Sequence, residues 1–107
     1  MNNQITFKST TKSVRSPDET YCNAVCQLID DGSYLGRGTN FYKGRYSHVL
    51  VHIIRLGNDH FSIIKIDLDH GSSSTYTTKT KVQNRYGIIG QLNARRKIPT
   101  FGACEIF

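Results

Sequence analysis

The stretch SPDETYCNAVCQLIDDG, Ser16 to Gly32, fits two periodicities, and the two lead to different folds. Read as a helix, Ser16 is the cap and Pro17 supplies a fixed φ in the first turn. Glu19 falls three residues after the serine, as a capping box requires. Tyr21, Val25 and Leu28 then recur at spacings of four and three, and Asp-Asp-Gly stops the element. This reading predicts a helix over 17–29. The competing reading is a strand through YCNAVCQLI, because small and β-branched apolar residues suit either state.

Downstream, SHVLVHIIRL and HFSIIKIDLD are β-branched runs separated by Gly57, Asn58 and Asp59, which predicts a hairpin over 47–68. Val82, Tyr86 and Ile89 recur at i, i+4 and i+7, predicting a second helix over about 80–95, although Gly87 and Gly90 each weaken it by about 1 kcal/mol. Arg95, Arg96 and Lys97 would complement the negative end of that helix before Pro99, and TFGACEIF would add an edge strand. The expected architecture is an α+β fold in one domain over 1–107, with an antiparallel sheet built on the 47–68 hairpin and a helix at each end.

At 107 residues there is room for one modest core. The longest apolar runs carry His and Arg and are too short to span a bilayer, and MNNQITFKSTTK lacks the apolar centre of a signal peptide. Three cysteines, Cys22, Cys26 and Cys104, are an odd number at uneven spacing, which favours reduced thiols over a secreted disulfide framework. A cytoplasmic protein, without membrane partner or cofactor, is the expectation.

The charge is asymmetric. Residues 1–70 hold eight Lys/Arg against seven Asp/Glu, whereas residues 71–107 hold six against one. This bias points to a polyanionic partner, a nucleic acid or a host nucleoprotein complex. The acid-free tract HGSSSTYTTKTKVQNRYG, His70 to Gly87, would place free amides at a helix start beside hydroxyls and cations. The phosphate-binding set expected from it is Thr77, Thr78, Lys79, Lys81, Arg85, Arg95, Arg96 and Lys97. The glycine-rich SYLGRGTNFYKGRY provides a second contact loop through Tyr34, Arg37, Tyr42, Lys43 and Arg45, by stacking and cation–π contact.

Residues 51–93 contain a strand, the Gly57-Asn58 turn, a second strand, a small-residue tract from Gly71, then Tyr76-Thr77-Thr78-Lys79 followed by Arg85 and Asn93. This pattern resembles small accessory proteins encoded by tailed bacteriophages. The resemblance implies a host-takeover or anti-defence inhibitor that acts by stoichiometric binding, in the cytoplasm of the host.

Two other constellations have weaker support. A metal-independent ribonuclease would use His52, His60 and His70 with Lys79, Thr77 and Tyr76. Cys22, Cys26, His48 and His52 permit a zinc site on paper, but the 21-residue spacer and the strand-borne histidines argue for buried thiols instead, so no metal is expected. Tyr34, Gly36, Arg45 and His48 echo GIY-YIG nucleases, without the strand before them or the acidic residue after them that those enzymes need.

Overall fold

The computed structural model describes residues 3–85, 87–95 and 97–107. It contains eight strands, β1 (Gln4–Ser13), β2 (Thr20–Leu28), β3 (Tyr34–Tyr42), β4 (Arg45–Arg55), β5 (His60–Asp67), β6 (Ser73–Asn84), β7 (Gly87–Ala94) and β8 (Thr100–Ile106). Each pairs antiparallel with the next, and β8 returns to β1, so the sheet closes into an up-and-down barrel. The closing seam includes reciprocal backbone bonds between Thr6 and Phe107 of 2.6 and 3.0 Å. Closure leaves no unpaired edge.

The α+β expectation is therefore corrected. Residues 17–29 are not helical: the segment is a loop running into β2. Its true period is two, with Cys22, Ala24 and Cys26 buried and Tyr21, Val25 and Leu28 exposed, so the residues read as a helical stripe face solvent. The capping signal is real but local. Ser16 Oγ accepts the Asp18 amide at 3.1 Å, a hydroxyl-closed turn of the kind that also starts helices.

No helix forms over 80–95 either. Val82 and Ile89 are ladder partners on β6 and β7, and Ile88, Gly90, Leu92 and Ala94 line the interior at alternate positions. Gly87 has a φ of 136°, which an L side chain rarely adopts and which serves the β6–β7 hairpin. TFGACEIF is β8, paired on both sides rather than an edge. β4 and β5 do pair as the hairpin read over 47–68.

The interior is graded along the barrel axis. At the end carrying the β2–β3, β4–β5 and β6–β7 hairpins, Ile5, Phe7, Ile53, Phe61, Ile63 and Ile106 are each no more than 2% exposed. Toward the opposite end the inward residues turn polar. On β1, Ile5 and Phe7 give way to Ser9 and Thr11; on β4, Val49 gives way to Ser47; on β5, Ile63 gives way to Lys65 and Asp67. A barrel of eight strands is just wide enough for side chains to fill it or for one small ligand to enter. Here the apolar end is filled and the polar end is open.

No helix long and apolar enough to cross a membrane is present among the described residues. The outer face at mid-height carries Asn23, Arg37, Lys79 and Gln91, all exposed, where a lipid-facing barrel would be apolar.

Candidate functional site: the polar mouth of the barrel

The polar end encloses a cavity of about 790 Å³, within the range of small-molecule sites. Its inner wall is formed by Thr20, Asn40, Ser47, Lys65, Ser74 and Tyr76, and its rim by Tyr42, Lys43, Arg45 and His70. Strand alternation puts these residues here: once Phe61 and Ile63 take the core, Lys65 and Asp67 must face the same lumen.

Lys65 is the feature that sets the chemistry. It is 4% exposed, and its Nζ lies 5.6 Å from the centroid of the buried Tyr76 ring. Among the described residues no carboxylate lies within ion-pair distance of it. The nearest inward acid on the same strand, Asp67, is otherwise engaged: it accepts Ser47 Oγ at 2.9 Å, His70 Nδ1 at 3.0 Å, and the amides of Asp69 and His70 at 3.0 Å each. Burial works to raise the Asp67 pKa, but these donors outweigh it and hold the carboxyl down to about 2. Asn40 Oδ1 is buried in the wall with no hydrogen-bond partner, an acceptor that a ligand donor would satisfy.

The rim is cationic. The β3–β4 connection is a two-residue turn with Lys43 at φ 49° and Gly44 at φ 77°, the left-handed pair that matches strand twist. Glycine or asparagine holds that conformation with less strain than lysine, so the turn carries its charge at a conformational cost. Lys43 pairs with Asp18 at 3.5 Å and lies 5.4 Å from the Tyr42 ring. Arg95 and Lys97, in the β7–β8 loop, lie at this same end.

The thiols belong to the core beneath. Burial raises the pKa of Cys22, with Lys65 pulling against it, and pushes Cys26 up to about 11. Cys104 is likewise raised by burial. All three stay protonated at neutral pH and are not activated nucleophiles. They point inward while His48 and His52 alternate to the outside of β4, so the barrel wall separates the members of the zinc set. Among the described residues no group of three metal-ligating side chains gathers.

The expected phosphate-binding set is spread out. Thr77, Thr78, Lys79 and Lys81 lie along β6, where Thr78 faces inward against Cys104, the backbones of Thr77, Thr78 and Lys79 pair with β5 and β7, and Lys81 falls at the bulge between Thr80 and Val82, so these residues form a strand and not a helix start. Arg85 sits in the β6–β7 turn, at the end opposite Arg95 and Lys97. The eight residues of β7 between them span roughly 26 Å at about 3.3 Å per residue. Arg96 lies outside the described residues. Of the second contact loop, Tyr42, Lys43 and Arg45 meet at the mouth, Arg37 is exposed on the outer face of β3, and Tyr34 is 7% exposed inside the apolar end.

The three histidines of the ribonuclease reading do not converge. His52 bonds Ser33 Oγ at 2.7 Å on the outside of the apolar end, and Ser33 in turn bonds Asp31 at 2.5 Å, which locks the β2–β3 hairpin. His60 starts β5 opposite Lys79, and His70 is at the other end, bound to Asp67. Lys65, Asn40 and Ser47 were missed from the sequence. The signal for them was the period of two running through Phe61, Ile63, Lys65 and Asp67.

Compared with family models, with curated proteins and with solved structures, the chain matches none.

Asp67 yields a prediction for acid stability. Its folded pKa of about 2 lies below the ordinary 3.8, so its contribution is present above about pH 4 and disappears as pH falls through 2. Asp67→Asn is expected to cost about 1 kcal/mol at pH 7, after discounting for solvent at the mouth. Urea midpoints at pH 7, 4 and 2.5 should show the two proteins converging only in the most acidic sample.

Proposed function

We propose that this protein binds a small organic anion, stoichiometrically and without chemistry, in the polar mouth of its barrel. The observation that carries the reading is Lys65: a cation 4% exposed, facing the 790 Å³ cavity, with no carboxylate in ion-pair range among the described residues. A buried charge is costly unless it is paired and hydrogen-bonded. An incoming phosphate or carboxylate would supply the pairing, in a site where desolvation strengthens it. Asn40 Oδ1 offers an acceptor in the same cavity, and the rings of Tyr76 and Tyr42 offer apolar contact. Lys43 and Arg45 at the rim would steer an anion inward.

Such capture differs from the nucleic-acid or nucleoprotein binding that the likeness over 51–93 implies, and shares with it only the stoichiometric mode of action.

The test is calorimetric titration with pyrophosphate, citrate and a nucleoside monophosphate, which separates phosphate-bearing from carboxylate-bearing ligands. Saturable one-to-one binding by at least one of them is expected, weakened tenfold or more in Lys65→Met and severalfold in Arg45→Ala. If none binds, or if Lys65→Met binds as well as the parent, the reading fails.

A further inference from the structure

A second feature lies on the outside of the barrel, beside the mouth. Tyr21, Phe41 and Tyr46 are register partners across β2, β3 and β4, so their outward side chains form one row. Ring centroids are 6.5 Å apart for Tyr21 and Phe41 and 4.7 Å apart for Phe41 and Tyr46, and Tyr46 is 75% exposed. The Tyr21 hydroxyl is tied to Glu19 at 2.5 Å, which fixes its ring. On β1 and β8 the same row continues with Thr10 and Ala103, small residues that leave the floor of a shallow groove of about 570 Å³.

The chemistry around this row is specific. Asn23 and Thr39 line the groove beside the rings and present neutral donors and acceptors. Arg37 lies on one side of the row and Lys12 on the other, both exposed, and the Lys43 and Arg45 hairpin adjoins Tyr46. Lys8 contributes less, because Glu105 is its register partner. Planar rings in series, amide and hydroxyl groups at their edges and cations along the flanks are the complement of unstacked bases on a phosphate backbone.

We propose that the outer face of β1 to β4 binds single-stranded nucleic acid, with bases stacking on Tyr46, Phe41 and Tyr21 and the phosphate backbone on the Arg37 flank. This places the polyanion contact on the N-terminal half of the chain, opposite to where the charge count alone puts it, and it rests on a different observation from the anion site in the mouth, with which it shares Tyr46.

Fluorescence anisotropy with labelled 12-nucleotide oligo(dT) and oligo(U) at low salt tests it. Tyr46→Ala, at an exposed position, is expected to weaken binding roughly 5-fold to more than 100-fold, the usual range for a stacked aromatic. Arg37→Glu should weaken it further and flatten the salt dependence by about 0.7 in log–log slope per lost phosphate contact. Lys65→Met should leave it unchanged, which keeps this result separate from the anion titration. The proposal is overturned if the parent protein binds neither oligonucleotide, if Tyr46→Ala binds as tightly, or if light scattering shows a dimer that Tyr46→Ala dissolves, since the row would then be the seat of a second copy.

Discussion

Gly38→Ala is expected to lose about 3 kcal/mol or more of stability, a large part of the 5–15 kcal/mol typical of a domain. The reason is steric and local. Gly38 faces the lumen opposite Ala24, and a Cβ there would collide with the Asn23 carbonyl oxygen and come within 2.7 Å of the Ala24 Cβ. Gly36, two residues earlier, meets the backbone of Val25 and Cys26 in the same way. These are not flexible tips that swing aside but the neighbouring strand itself. The two glycines let β3 bend close over β2, which is how a sheet turns tightly enough to close. Gly57→Ala is the matched control: nothing lies within 4 Å of its Cβ, its φ is ordinary, and its effect should stay within about 0.5 kcal/mol. Thermal and urea unfolding of the two variants side by side decides the point. Equal stability would mean that β3 is not pinned against β2.

The second large effect runs in the opposite direction. Lys65→Met should raise stability by roughly 1–3 kcal/mol while removing anion binding. Met has nearly the length and volume of the lysine stem, so the aliphatic packing over Tyr76 is kept. What goes is a buried charge whose desolvation is not offset by a carboxylate among the described residues. Replacing such charges by apolar groups of similar volume is commonly neutral or stabilising by about 1–4 kcal/mol. Lys65→Ala would not show this gain, because the cavity left behind costs about as much as the charge relieved. A gain with Met, coupled to loss of binding, identifies Lys65 as a functional group kept against stability. A loss with Met would show instead that the ammonium holds the barrel together, and the anion site would fall with that result.

Of the eight strands, β4, β5 and β8 were legible from residues alone. The hairpin over 47–68 is legible in the β-branched runs around Gly57-Asn58-Asp59, whereas the hydroxyl at Ser16, read as a helix cap, closes only a local turn. The helices were misread because Tyr21, Val25 and Leu28, or Val82 and Ile89, are apolar residues on the outside of a barrel, where the exposed face is not uniformly polar. The buried alternation Cys22, Ala24, Cys26 is made of small residues with little hydrophobic contrast, so the period of two was faint against the more apolar outer positions. Lys65 is not singled out by the sequence for a related reason: a lysine in a β-branched run reads as solvent-facing until the phase of the strand is known.

By itself, then, the sequence determined the cationic character of the molecule and the reversal at Gly57-Asn58-Asp59 that pairs β4 with β5. These follow from composition and from dihedral preferences spanning two to four residues. Only the tertiary structure decided that the sheet closes, that Lys65 and Asp67 share a lumen, that Tyr21, Phe41 and Tyr46 form a row, and that Arg85 and Arg95 stand at opposite ends. Each of those is a matter of register between strands. Register is set by which face finds the core as the whole barrel closes, and no local window contains that information.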